Sequence, residues 1–480
     1  MNDTPYIHTF RTSEQCYVYD VNTDKILAIP EDVFEYLSKA ESTVVNEAVS
    51  AFIKDLKANG FLRSDRVEVS EHPATSLLRY YLENKMCQLI LQVTQSCNLR
   101  CSYCSYSGLY KNRSHSQVTM SDDTAERAID FFVKRTKDRD NITVSFYGGE
   151  PLLNMNLIKH CVSYIEKRYY GKKINFSMTT NGTLLDNDSI AFFANNNFHL
   201  RISLDGPKEV HDTRRRFASN NEGSFSVIME NIAKIQNLHP EYYQDNVRFI
   251  AISDTARTFS CIDDFVSEEE LFRENSKFTL GYVSDTYTEN ITSVSDDFFA
   301  GREYEYFKIL LSKLGEFPND KTSKLLDNQV NAIFLHCFKN IEMEQERIPR
   351  KFHHGGPCIP GVSRLFVDVE GRFFPCERVS ELSETVVLGN LENGISLTKA
   401  MQVLNLEETT HARCKNCWAY RQCTICIAKA DDMHGVSATE TYKACSAVCK
   451  SIENTFKDYC VLKELGYTFD EERLQRETDV

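Results

Sequence analysis

The sequence predicts an α/β fold with a parallel sheet at its centre, a small unit in front of it and a cysteine-rich unit behind. Three observations predict it. β-Prone runs alternate with helical periodicity between residues 87 and 255, three short β-prone runs and two amphipathic helices fill the first 70 residues, and eight cysteines lie between 358 and 449.

Residues 1–75 read as the front unit. Runs at 8–12, 16–21 and 25–29 are separated by polar turns such as Asn22-Thr23-Asp24. Pro30-Glu31-Asp32 opens a helix carrying Val33, Phe34 and Leu37, and a second helix carries Val44, Val45, Ala48, Phe52 and Leu56 before Gly60. The pattern is that of a winged helix. Residues 85–310 form the central unit, with strands at 87–94, 142–147, 174–180, 200–204 and 247–253 alternating with helices. Ser121 caps the first of these helices, which buries Ala125, Ala128, Ile129 and Phe132. Residues 311–357 bridge to the rear unit at 358–460, and 461–480 form a tail. Amphipathic helices are expected around 304–311 and 331–338.

The chemistry concentrates at Cys97-Asn98-Leu99-Arg100-Cys101-Ser102-Tyr103-Cys104, a loop at the end of the first central strand. Three thiolates from one loop can hold three irons of a cubic cluster, which normally takes four cysteines, leaving one iron open to a ligand. A zinc site would need a fourth ligand at finger spacing, and His115 is the nearest. The next strand ends in Gly148-Gly149-Glu150-Pro151, where α/β folds place ligands. Later strands end at Asn181-Gly182-Thr183 and Asp205-Gly206-Pro207.

The chain has 17 cysteines and begins without the basic and apolar blocks of a signal peptide. A cytoplasmic chain with so many thiols points to metal or redox chemistry rather than a disulfide scaffold. A net charge of −14 disfavours general nucleic-acid or anionic-membrane binding, although Arg214-Arg215-Arg216 is a candidate basic patch. The rear unit carries Cys358, a hairpin signal at 363–376 ending in Cys376, the run Cys414-x2-Cys417-x5-Cys423-x2-Cys426, and Cys445-x3-Cys449. Eight cysteines suffice for two more centres, and paired Cys-x2-Cys fits zinc or iron–sulfur ligation. Cys16, Cys87, Cys161, Cys261 and Cys460 read as core or surface residues.

The three-cysteine spacing with Tyr103 before the last cysteine, followed by Gly148-Gly149-Glu150, resembles the radical S-adenosylmethionine (SAM) enzymes. The resemblance implies a partial (β/α)6 barrel and a [4Fe–4S] cluster on Cys97, Cys101 and Cys104 whose open iron is chelated by SAM. It assigns Tyr103, Gly148, Gly149, Glu150, Asn181, Ser203 and Arg215 to SAM. His211-Asp212 and Gly223-Ser224-Phe225 resemble the peptide-modifying branch. The rear cysteines resemble the SPASM or twitch extension with two auxiliary [4Fe–4S] clusters. By that likeness Cys414, Cys417, Cys423 and Cys445 bind the outer one, and Cys358, Cys376 and Cys426 the nearer one. The chain departs from the pattern by an x2 spacing before Cys426 and by lacking a cysteine shortly before Cys358. The nearer cluster is then either open to a substrate thiolate or completed by Cys337 or Cys449.

The front unit resembles the recognition element of ribosomal-peptide maturases, which adds a leader peptide to a sheet edge; packing on the next unit is the alternative. Together these features imply a thioether-forming maturase of the sactipeptide or ranthipeptide type, served by a flavodoxin- or ferredoxin-type electron donor. Carbon–carbon crosslinking and anaerobic sulfatase-type maturation are the rival enzyme readings, and a metal-binding scaffold is the non-enzymatic one. Replacing Cys97, Cys101 and Cys104 by Ala should abolish 5′-deoxyadenosine release, measured by chromatography after reduction with SAM present; continued release excludes the cluster assignment.

Overall fold

The computed structural model describes residues 4–39, 46–273, 277–288, 293–342 and 346–470. Val44, Val45 and the tail beyond 470 lie outside the described residues. The chain begins with an antiparallel sheet in the order β1 (Ile7–Arg11), β2 (Cys16–Asp20) and β3 (Lys25–Ile29). Its helices are Glu31–Ser38 and Glu47–Ala58, the second capped by Asn46, whose side chain accepts from Val49 N–H.

Strand alternation sorts β2 between two cores. Val18 faces the two helices, in a cluster with Ile29, Val33, Val49 and Leu56. Tyr17 and Tyr19 point the other way, into the main core. There Tyr19 packs on Phe456 of the long helix Ala438–Glu464, ring centroids 4.9 Å apart. The front unit therefore rests on the rear of the chain. β4 (Val69–Ser70) adds a short parallel pair with a strand near residue 351.

The central sheet follows from β5 (Gln88–Thr94), β6 (Asn141–Gly148), β7 (Lys173–Thr180), β8 (His199–Ser203), β9 (Val247–Ser253) and β10 (Phe278–Tyr282). These six lie side by side in sequence order and pair in parallel, as βαβ crossovers require. β10, in the stretch without a sequence assignment, supplies the sixth strand. The bridging helices run Asp296–Lys313 and Asp327–Ile341, longer than the sequence signal at both ends.

β11 (Lys351–Phe352) is the partner of β4, and the hairpin β12 (Leu365–Val367) and β13 (Arg372–Phe374) follows. β12 pairs in parallel with β5, Phe366 opposite Ile90. The rear cysteine segment thus shares the central sheet, which continues through β13, β14 (Gly389–Asn390) and β15 (Gly394–Ile395). Among the described residues no helix is long and apolar enough to cross a membrane.

The front unit is held by Cys417 and the residues between it and Cys423. His8 stacks on Trp418 at 3.8 Å between ring centroids, Tyr6 Oη–H donates to the Cys417 carbonyl at 2.9 Å, and Gln422 Nε2–H donates to Asp24 at 2.9 Å. Arg421 Nε lies 3.2 Å from Asp24, with both side chains at most 10% exposed. Arg421→Ala leaves that carboxylate buried without its cation, a loss of about 3–5 kcal/mol. Hydrogen exchange over residues 7–29 should accelerate, whereas Lys39→Ala, breaking the exposed pair with Glu35, should leave it unchanged because such pairs contribute about 0–1 kcal/mol.

Candidate radical SAM site

The cysteine loop begins where β5 ends, and its path is set by backbone contact with the next strand. Gly149 N–H donates to Thr94 O and Glu150 N–H to Ser96 O, both at 2.9 Å. A Cβ on Gly149 would stand 2.1 Å from Ser96 O, and one on Gly148 2.0 Å from Thr94 O. Both distances are far inside van der Waals contact, and Gly148 also has φ +139°. The glycines therefore give close approach to the chain itself, at the segment that leads to Cys97.

The other side of the loop is held by residues 214–218. Arg100 N–H donates to Arg216 O and Ser102 N–H to Arg214 O, at 2.8 and 3.0 Å. Arg214-Arg215-Arg216 is thus not a basic patch. Arg215 is buried against Asp205, Nε to Oδ2 2.9 Å, with Nη1 4.0 Å from Cys101 Sγ. Arg214 stacks on the Tyr103 ring at 4.1 Å, and the Tyr103 hydroxyl donates to Asp205. Ile252 N–H completes the Asp205 carboxylate at 3.0 Å.

Glu150 is buried, and its carboxylate accepts from Thr180 Oγ1 at 2.6 Å, Asn181 N–H at 2.7 Å and Leu152 N–H at 3.1 Å. Asn181 Nδ2 donates to Asn98 Oδ1 at 2.8 Å and lies 3.9 Å from Cys97 Sγ. Asn98 in turn donates to Thr183 Oγ1 at 2.8 Å. Ser203 stands at the end of β8. The strand ends thus bring the residues assigned from the resemblance to one side of the sheet. Asn98, Thr180, Thr183 and Asp205 escaped assignment, although three of them flank or lie within the motifs that signalled the strand ends.

Burial pushes the Cys97 thiol up to about 12 and Cys101 up to about 11, and raises Cys104 as well. Thiolates here need positive charge and hydrogen bonds. Leu99 N–H reaches Cys97 Sγ and Tyr106 N–H reaches Cys104 Sγ, each at 3.4 Å, while Arg215 serves Cys101. Such a donor set fits three thiolates of an iron–sulfur cluster.

Residues 91–247 match the Radical SAM superfamily. This segment is a radical SAM domain. The chain is similar to the cysteine-type anaerobic sulfatase-maturating enzyme of Clostridium novyi (34% identity over 187 residues, 38% of this chain and 48% of that protein). It is also similar to the enzyme of the same description from Clostridium perfringens strain ATCC 13124 (24% over 394 residues, 77% of this chain and 95% of that protein). The chain thus spans about half of the first relative and nearly all of the second. A solved structure described as histidine-tagged anSMEcpe with bound AdoMet shares the fold at TM-score 0.57 and 20% identity, covering 82% of this chain and 98% of the other.

The radical SAM domain faces a second cysteine region. Cys414, Cys417, Cys423, Cys445 and Cys449 line one cavity of about 180 Å³. Cys426 leaves its neighbours in sequence and lies near Cys376 instead. Cys358 is exposed. Neither residue suggested from sequence to complete this nearer set does so: Cys337 is buried beside Cys460 in the helical core, and Cys449 belongs to the outer cavity. Cys161 and Cys460 are buried.

Between the two regions lies a buried polar link. Gln92 Nε2 donates to Tyr106 Oη and Glu381 Oε1, each at 2.8 Å. Arg113 Nε sits 3.2 Å from Glu381, and its Nη2 donates to Val379 O at 2.7 Å. The buried group His353, His354 and Glu407 is structural, because its atoms already pair within the chain. Glu407 N–H donates to His353 Nε2 at 3.2 Å, and the Glu407 carboxylate accepts from Tyr420 Oη–H at 2.7 Å.

Gly149→Ala should force the 94–96 backbone aside at a cost of about 1–3 kcal/mol or more and disorder the loop. The expected result is a loss of about four irons per chain after reconstitution, with Gly435→Ala, where a Cβ meets nothing within 4 Å, retaining them.

Proposed function

We propose that this radical SAM enzyme installs a thioether crosslink between a cysteine sulfur and a carbon of a ribosomally made precursor peptide, whose leader is held by the front unit. The observation that carries the reading is the front sheet itself. Among the described residues β3 pairs only with β2, so its outer side is an edge, and a groove of about 480 Å³ lined by Arg11, Thr12, Gln15, Ala28, Ile29 and Phe52 opens at its end. A strand edge beside a groove of mixed polar and apolar lining suits an extended peptide, with backbone bonds giving affinity and the groove giving selectivity.

Cys97, Cys101 and Cys104 hold the SAM-binding cluster in this reading. Gly148, Gly149, Glu150 and Asn181 set the loop position, Ser203 lies beside the SAM subsite, and Tyr103 and Arg215 close its far side and exclude water. When bound, the reduced cluster and SAM supply the 5′-deoxyadenosyl radical that removes a hydrogen atom from the peptide. Cys376, Cys426 and Cys358 hold the nearer auxiliary cluster with one iron left for a substrate thiolate, and the outer cavity holds the third. A flavodoxin- or ferredoxin-type protein supplies the electron.

The similarity to sulfatase-maturating enzymes over 77% of the chain favours a second reading, oxidation of a cysteine or serine side chain without crosslinking. It bears on that reading more directly than on thioether formation. Mass spectrometry after incubation with SAM, reductant and a cysteine-containing precursor separates the two. The expected product has lost two hydrogens and has a cysteine protected from alkylation. Loss of the cysteine sulfur, or loss of two hydrogens with every thiol alkylated and a serine converted to an aldehyde, selects the sulfatase-type reading, and loss of two hydrogens with every thiol alkylated and no aldehyde selects a carbon–carbon link.

A further inference from the structure

The chain that follows Cys376 is held from the radical SAM domain. Residues 377–381 lie outside helices and strands, and among the described residues they make no backbone–backbone hydrogen bond, although Val379, Ser380 and Glu381 are buried. Buried carbonyls need donors from elsewhere. Arg113, in the loop after Cys104 and itself buried, supplies them: its Nη2 donates to Glu377 O and, at 2.7 Å, to Val379 O. Its Nε stands 3.2 Å from Glu381 Oε1, and its Nη1 donates to Tyr147 Oη at 3.4 Å. The same Glu381 accepts from the Tyr106 hydroxyl at 3.1 Å. One guanidinium thus reaches two carbonyls, a carboxylate and the end of β6.

Resting on the reading of Cys376 as a ligand of the nearer auxiliary cluster, we propose that Arg113 is a positioning residue for that cluster: carried by the loop that follows the SAM-cluster cysteines, it fixes the backbone that leaves Cys376. The planar fork is what the site uses. A lysine ammonium at this place keeps a charge opposite Glu381 but lacks the fixed set of donors that spans both carbonyls. The SAM-cluster cysteines do not depend on Arg113 in the same way, because their loop is clamped by Gly149 and Glu150 on one side and by residues 214–216 on the other. Glu381 has its own claim on Arg113, since a buried carboxylate left without its cation is costly. Arg113→Met/Glu381→Gln removes both charges at once and separates that role from the hold on the 377 and 379 carbonyls.

The test is iron content and electron paramagnetic resonance of the reconstituted full-length chain, with a redox titration of each signal. Cys376→Ala should lose about four irons and one signal, which marks the nearer cluster. Arg113→Lys and Arg113→Met/Glu381→Gln both leave the net charge of the site unchanged, so a change in the marked signal reports geometry. In both variants that signal should be lost or move to new g values and a new midpoint potential, while the SAM-cluster signal and its change on adding SAM persist. A marked signal identical to wild type in either variant overturns the proposal, because Arg113 then serves Glu381 by charge alone. Loss of the SAM-cluster signal in Arg113→Lys overturns it as well, because the residue then holds the whole loop. A Cys376→Ala chain that keeps its iron and every signal overturns the cluster reading beneath it.

Discussion

Two backbone hydrogen bonds, from Gly149 to Thr94 and from Glu150 to Ser96, hold the place where the first central strand becomes the cysteine loop. They form only because neither Gly148 nor Gly149 has a side chain at the crossing. Everything that faces the three thiols depends on that crossing. Glu150, tied to Thr180 and Asn181, transmits it to the third strand, and Asn181 passes it to Asn98 beside Cys97. A motif that reads as a ligand contact is at the same time the joint of the barrel.

Charge compensation is the second constraint. Burial disfavours the thiolate form of all three cysteines, so the loop gathers backbone N–H groups and one guanidinium around them. Arg215 is itself buried and is held by Asp205, which also takes the Tyr103 hydroxyl and Ile252 N–H. An unpaired guanidinium would be costly at this depth. The pair lets a positive charge stand beside Cys101.

The rear of the chain is built onto the same sheet. Pairing of β12 with β5 brings the hairpin that ends before Cys376 directly beside the strand before Cys97, and the Gln92, Tyr106, Glu381 and Arg113 link closes the space between them. From the outer cavity, residues 418–422 reach the front sheet through Trp418, Arg421 and Gln422. Front unit, radical SAM domain and cysteine-rich extension are thus joined through cysteine-bearing segments.

The strand and helix alternation, the cysteine spacing and the glycine pair were legible in the sequence because each is a local signal: periodicity, turn chemistry, ligand count. Those signals determined the α/β architecture, the place of the loop and the presence of a second thiol-rich region. They carried no information about partners distant in the chain. That Arg215 belongs to Asp205 rather than to a basic patch, that Cys337 lies beside Cys460 while Cys426 goes to Cys376, and that five thiols rather than four share the outer cavity were decided by tertiary structure alone. The reason is physical: a residue type and its spacing state which bonds a side chain can make, whereas burial and the approach of distant strands and helices decide which of them it makes.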